Sequence, residues 1–254
     1  MRLTRVYLDA PLEAGGRIAL TGSAARHLTR VLRLRPGQAL TLFNGGGGQY
    51  AATIEAVHGE KVEVAVGEAQ AIERESPLSL TLAQGVSRGE RMDLVVQKAT
   101  ELGASSIVPL LTERSVVRFS APQAARKLDH WRAIAVSACE QSGRNRLPRL
   151  VPPLPLPEFL HPPGASNGGA AGAGAASAIR LLLSPAGTAR IDEVPRAAHS
   201  ITVLIGPEGG LTDAEQQAAV EAGFVPVRLG PRVLRTETAA IAALALLQRE
   251  FGDL

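Results

Sequence analysis

The chain is 254 residues long, with 45% hydrophobic and 20% charged residues and a formal net charge of +3. This length suits roughly two domains with a sizeable core, and the composition excludes a disordered or fibrous chain. The longest uninterrupted apolar run, Ala239 to Leu247, spans nine residues, short of the roughly 20 a bilayer demands; with no charged-then-apolar opening segment, a cytoplasmic protein away from the membrane is expected.

A single cysteine, Cys139, excludes an internal disulfide, and the five histidines lie far apart, so no metal site is expected. Of the 27 basic residues only three are Lys, and the arginines cluster. Seven fall within residues 1 to 35 beside only Asp9 and Glu13; Arg144, Arg146 and Arg149 crowd one loop near Glu140 alone. A planar guanidinium fork suits phosphate, so such clusters point to nucleic acid, with genomic base bias as the plain alternative.

In chain order, the stretches Arg17 to Thr21, Ala39 to Phe43, Tyr50 to Val57 and Lys61 to Val66 alternate or run apolar, separated by turns at Pro36-Gly37, Asn44 to Gly48 and His58-Gly59. Short strands at this spacing predict a small β-barrel. One helix, from about Ser23 to Leu34, interrupts them and sets Arg26, Arg30 and Arg33 at i, i+4 and i+7, on one face. That face is either solvated or turned toward RNA.

Around Ala69 to Pro77 the pattern dissolves into a polar linker, dividing the chain into residues 1–72 and 76–254. Beyond it, strands and helices alternate: Leu78 to Gln84, helix Glu90 to Leu102, Ser106 to Leu111, helix Pro122 to Ala138. This is the βαβ signature of a parallel sheet. Lys98 and Glu101 read as a structural pair at an edge. Residues 161 to 178 are almost entirely Gly, Ala, Pro and Ser, a surface insertion without a catalytic role. Strands follow at Ile179 to Ser184, Ile201 to Ile205 and Val225 to Leu229, with helices at Asp213 to Ala222 and about Glu237 to Glu250. Thr212 with Glu215 predicts a capping box, and Thr236 can cap the last helix. That helix is apolar on most faces and should be buried in the domain or in a subunit interface.

Two strand-to-helix loops stand out: Leu204-Ile205-Gly206-Pro207-Glu208-Gly209-Gly210-Leu211, and Leu229-Gly230-Pro231-Arg232-Val233-Leu234-Arg235-Thr236-Glu237-Thr238-Ala239. Loops at the carboxyl ends of parallel strands are where open α/β sheets bind ligands. Neither carries the phosphate-loop or dinucleotide fingerprint. The first alone reads as a tight turn or a ligand loop; Arg232, Arg235 and Glu237 serve no core purpose in the second, so a shared pocket is expected.

These two loops resemble the signature of the SPOUT methyltransferases, specifically the RsmE family, which methylates N3 of uridine 1498 in 16S ribosomal RNA. Other pieces match in order: His27-x-x-x-Val31-Leu32-Arg33 with Gly37, Phe43-Asn44-Gly45-x-Gly47-Gly48, Gln97-Lys98-x-Thr100-Glu101-Leu102-Gly103, Arg114-Ser115 and Cys139-Glu140-Gln141-Ser142-x-Arg144. The resemblance spans nearly the whole chain apart from the insertion. It implies a PUA-like RNA-binding barrel followed by a SPOUT-type α/β domain whose C-terminal part passes through a trefoil knot, an exception to unknotted topology. It also implies a homodimer packed through the knotted domain, acting on 16S rRNA in the small ribosomal subunit.

S-adenosylmethionine would be held by Leu182, Leu183, Ile205, Gly206, Pro207, Gly209, Gly210, Leu229, Gly230 and Leu234. Where the family is expected to carry an acid after the strand at residues 179 to 184, this chain has Ser184-Pro185-Ala186-Gly187. Methyl transfer to uridine N3 needs in-line positioning, and charge spreads to the flanking carbonyls as the imide proton leaves. Arg232 is the candidate that orients or stabilises the uracil, with Arg235 second and Glu208 as loop organiser. Arg2, Arg5, Arg26, Arg30, Arg33, Arg144 and Arg146 are candidates for holding RNA, with Arg144 and Arg146 alternatively completing the site from the second subunit. A noncatalytic RNA-binding or ribosome-assembly protein, and a SPOUT enzyme acting on tRNA, are the alternatives.

Overall fold

The computed structural model describes residues 3–162, 178–195 and 198–254. Arg2 and nearly all of the Gly/Ala-rich insertion lie outside the described residues. The chain divides into two compact units: Met1–Glu75 with Val136–Leu147, and Ser76–Ala135 with Pro148–Leu254. The segment Val136–Leu147, expected in the second domain by chain order, therefore belongs with the first. Contacts between residues far apart in sequence decide that membership, and periodicity does not report them.

Unit 1 is built on a five-stranded sheet in the order β1-β3-β4-β5-β2, with β1 Arg5–Tyr7, β2 Arg17–Leu20, β3 Ala39–Phe43, β4 Gln49–His58 and β5 Lys61–Gln70. Val62, Val64 and Val66 on β5 and Ala52 and Ile54 on β4 point every second side chain into one core with Leu20, Leu28, Leu40 and Leu42. Strand β1 pairs parallel to β3 and all other pairs are antiparallel. At three residues it is too short to show alternation.

The helix expected at Ser23 to Leu34 is a five-residue α-turn, α1 Gly22–Arg26, continued by a π-helical turn His27–Val31. A π turn bonds i to i+5 and takes more residues per revolution, so the i, i+4, i+7 register of an α-helix is lost across it. Arg33 lies past the helical turns at φ 52°, in the left-handed region. The expected single stripe of Arg26, Arg30 and Arg33 is corrected accordingly.

In unit 2 a sheet runs β12-β10-β11-β6-β7-β8, with β9 also on β7, and every pairing is parallel. The strands are β6 Ser79–Gly85, β7 Ser106–Leu111, β8 Arg149–Leu150, β9 Leu154–Pro155, β10 Ala178–Leu183, β11 Ser200–Ile205 and β12 Val225–Val227. The helices are α2 Glu90–Glu101, α3 Ala121–Ser142, of which residues from Val136 on belong to unit 1, α4 Leu156–Leu160, α5 Asp213–Glu221 and α6 Thr236–Phe251. The short β8, β9 and α4 escape sequence reading, and β12 ends two residues earlier than expected.

Strand alternation sends side chains to both faces, as a sheet covered by helices on both sides requires. Leu80, Leu82, Leu181, Ile201, Val203 and Ile205 pack with Val95, Val96 and Ala99 of α2 and Ala240, Leu244 and Leu247 of α6. Their neighbours Ala83, Leu182 and Leu204 face the other way, onto Ala219 of α5, Phe224 and Leu160. Each buried Leu, Ile or Val is worth about 1.5–3 kcal/mol of transfer free energy, so the two cores hold β10 and β11 firmly at the centre. The loops at their carboxyl ends leave a stiff base.

Helix starts follow local chemistry. Thr212 Oγ1 accepts the Glu215 N–H at 3.2 Å while Glu215 Oε2 accepts the Thr212 N–H at 2.9 Å, the expected capping box of α5. Glu215 Oε1 also accepts the Glu113 N–H at 2.8 Å. Thr236 does not cap α6; Arg235 holds that position, and the Thr236 hydroxyl is drawn into an internal junction. Lys98 and Glu101 pair at 2.8 Å on α2.

Candidate active site

Strands β12, β10 and β11 are neighbours, so the loops after them converge at one edge of the unit 2 sheet. Together with the start of α6 they enclose a cavity of about 460 Å³, within the range of small-molecule sites. Leu182, Leu183, Ile205, Leu211, Val227, Leu229, Leu234 and Ala239 make its apolar wall.

The Gly206 loop is shaped by close approach and by hydrogen bonds. A side chain at Gly85 would collide with Pro207, so that position demands glycine, and one at Gly206 would lie a tight 3.0 Å from the Gly210 and Leu211 backbone. The Gly210 N–H donates to the Pro207 carbonyl at 2.9 Å, closing a tight turn with Gly210 at φ 68°. Buried Gln84 joins this loop to α6: its Nε2 donates to the Gly206 carbonyl at 3.2 Å and to Thr236 Oγ1 at 2.9 Å. The Thr236 hydroxyl donates to the Gly206 carbonyl at 2.7 Å. The result is a junction between two loops that the sequence places about thirty residues apart.

Glu208 Oε1 accepts the Arg88 N–H and an Arg91 guanidinium N–H, each at 2.9 Å. Burial pushes its carboxyl up, but the Arg88 N–H, its own N–H and the Arg91 guanidinium outweigh this and hold it below the ordinary carboxylate value. On the next loop Ser184 Oγ donates to Gln216 Oε1 at 3.0 Å and accepts the Ala186 N–H at 3.3 Å. A polar contact survives there without an acid.

Of the expected cofactor residues, Leu182, Leu183, Ile205, Gly206, Pro207, Gly210, Leu229, Gly230 and Leu234 line the cavity. Gly209 does not; its Cα side packs against Arg114, whose guanidinium donates to the Gly209 carbonyl at 3.1 Å. Glu208, Arg232 and Arg235 also line it. Both arginines are exposed, and their side chains have no hydrogen-bond or ion-pair partner among the described residues. Ser184, Pro185 and Glu237, from the expected loops, line the cavity as well, whereas Arg91 and Gln216 in the lining escaped sequence reading.

Four of the expected RNA-holding arginines of unit 1 have partners within the protein. Arg144 is 4% exposed, and its guanidinium grips both Glu75 carboxylate oxygens. Arg5 donates to Gln49 Oε1 at 2.7 Å, to the Arg144 carbonyl at 3.0 Å and to Asn145, and lies over the Phe43 ring. Both side chains serve as internal braces. Arg146 pairs with Glu73 at 2.7 Å against the Gly45-Gly46-Gly47 turn, and Arg30 pairs with Glu60 at 3.0 Å on the surface. Arg26 is exposed, and Arg2 lies outside the described residues.

Glu73 and Glu75 sit in the stretch read as a linker, so that stretch is a strap along the 143–146 loop rather than a spacer. Burial raises the Cys139 thiol to about 11, which removes it as a nucleophile near neutrality. No cluster of metal-ligating side chains occurs among the described residues, and none of their helices is long and apolar enough to cross a membrane.

Comparison with known proteins matches two family models along the chain. Residues 74–248 match the model of an RNA methyltransferase domain, and residues 20–67 that of an RNA methyltransferase PUA domain. The chain is 33% identical over 253 residues to the ribosomal RNA small subunit methyltransferase E of Buchnera aphidicola, covering 100% of this chain and 98% of that protein. The Bacillus subtilis protein of that name is 31% identical, with 93% and 91% covered. Among solved structures, a putative methyltransferase from Legionella pneumophila in complex with its bound cofactor SAM superposes with a TM-score of 0.91 at 40% identity. The ribosomal RNA small subunit methyltransferase E from Neisseria gonorrhoeae, bound to S-adenosyl methionine, gives 0.88 at 37% identity; both cover 100% of each chain.

Proposed function

The chain belongs to the ribosomal RNA small subunit methyltransferase E family, and we propose that it transfers a methyl group from S-adenosylmethionine to N3 of uridine 1498 in 16S rRNA. The observation that carries this reading is the cavity at the β10, β11 and β12 ends, apolar within and bordered by Arg232 and Arg235. Its residues fit the cofactor: apolar walls suit an adenine ring, and glycines at 206 and 210 bring backbone groups close. Bound there, S-adenosylmethionine supplies an electrophilic methyl group.

The chain's own part is positioning and charge. Exposed Arg232 can reach a base brought to the cavity mouth and stabilise negative charge spreading over the uracil carbonyls as N3 loses its proton. Arg235 either does the same or takes a neighbouring phosphate. Glu208, held by Arg88 and Arg91, fixes the loop between them. The PUA-like unit adds RNA affinity, with Arg26 and Arg30 as surface contacts. We also read the C-terminal part of unit 2 as knotted, and the chain as a homodimer joined through that unit. Ile241, Ala242, Ala245 and Leu246, partly or well exposed on α6, supply apolar surface for such contact. The small subunit as partner places the protein in the cytoplasm.

The test supplies labelled S-adenosylmethionine and small subunits lacking the modification. One methyl per 16S rRNA is expected, with a reverse-transcription stop at uridine 1498, because methylation at N3 blocks the Watson–Crick edge. Subunit binding without transfer would instead support an RNA-binding or assembly protein, and transfer to tRNA alone would support the tRNA reading.

A further inference from the structure

Two carboxylates line the cavity, and the protein treats them differently. Glu208 accepts hydrogen bonds from Arg88 and Arg91. Glu237, in the first turn of α6, has a side chain only 13% exposed, and its Oε2 is buried without a hydrogen-bond partner among the described residues. Its Oε1 lies 4.0 Å from Arg91 Nε, a guanidinium already bonded to Glu208 at 2.9 Å. One cation therefore serves two anions. Arg232 and Arg235 line the cavity too, but they are exposed, and water and salt screen their charge. A buried carboxylate oxygen without a donor is costly, and such a group calls for an explanation.

We propose that Glu237 is the counter-charge by which this cavity prefers the sulfonium cofactor over the neutral thioether that remains after methyl transfer. The inference rests on the S-adenosylmethionine reading of the cavity. S-adenosylmethionine and S-adenosylhomocysteine differ by one methyl group and one positive charge at sulfur. Apolar walls can favour the methyl group but penalise the buried charge. A carboxylate out of water attracts the charged form alone, and its burial weakens the screening that would erase the difference. Methyl transfer leaves the C–S electron pair on sulfur, so this attraction ends with the reaction and the product is released more readily.

Calorimetric titration of the full-length chain with each ligand tests the proposal without rRNA. Glu237→Gln is expected to weaken S-adenosylmethionine at least tenfold and S-adenosylhomocysteine less than threefold, while Glu237→Asp recovers most of the loss. Equal weakening of both ligands, or weakening of neither, overturns the proposal. Thermal unfolding of the ligand-free variants checks the fold. Should Glu237→Gln not fold, Arg91→Gln carries the test from the opposite side: removing the cation that faces Glu237 should widen the preference for S-adenosylmethionine, and a narrowed preference overturns the proposal. Wild-type protein that binds neither ligand would overturn the cofactor reading as well, whereas binding of both with an unchanged ratio in the variants overturns the counter-charge alone.

Discussion

In unit 1, Arg5, Arg30, Arg144 and Arg146 each face an acceptor that the protein itself provides, whereas Arg232 and Arg235 at the cavity of unit 2 face none among the described residues. By residue type the two sets are the same. What separates them is commitment: a buried guanidinium held by a carboxylate, as Arg144 is by Glu75, braces the fold, and one left in water at a cavity mouth can meet a base or a phosphate. A count of arginines along the chain cannot make that distinction.

The contrast can be broken first at its strongest brace. Glu75→Ala leaves buried Arg144 without its carboxylate, which should cost about 3–5 kcal/mol of unit 1 stability. Urea unfolding followed by a unit 1 probe should register the loss; a change under about 1 kcal/mol would mean that Arg144 is not a brace. Next in size is Glu208. Replacing it with Ala removes the acceptor of both hydrogen bonds and its charge, so cofactor affinity should fall about tenfold near neutral pH.

Glu208 also predicts a pH dependence. Its folded-state carboxyl lies below the ordinary value of 4.5, so its contribution is complete above that value and is lost as pH falls through the lowered one. Cofactor affinity measured down the acid range should hold until below about pH 4.5 on this group's account, and a loss centred near neutrality would contradict the assignment. The smallest effect is expected at Arg30. Its exposed pair with Glu60 should contribute about 0–1 kcal/mol to stability. Arg30→Ala should lower RNA affinity slightly and reduce the salt slope by about one; unchanged affinity would return that surface to plain solvation.

Local chemistry made much of the fold legible. The alternation through Leu204 and Val203, the Thr212 and Glu215 capping box and the glycine-bounded loops all act within a few residues of each other, and sequence reading finds them. Pairings between distant residues stayed hidden. Arg144 and Glu75 are 69 residues apart and Gln84 and Thr236 are 152 apart, so neither residue of either pair signals the other. The π turn at His27–Val31 was equally invisible, because its residues are compatible with an ordinary α-helix. For the cavity, family resemblance supplied the wall residues and the second loop supplied Glu237, while Arg91 and Gln216 come from α2 and α5 converging in space.

The most direct test compares wild-type protein with Arg232→Ala on small subunits lacking the modification, measuring methyl transfer and cofactor affinity in parallel. Transfer is expected to fall at least about 100-fold, as for loss of one charge-stabilising donor, with the cofactor dissociation constant changed less than about threefold. Unchanged transfer, or transfer and cofactor affinity lost in the same proportion, would contradict the placement of the chemistry at the arginine-bearing rim of unit 2.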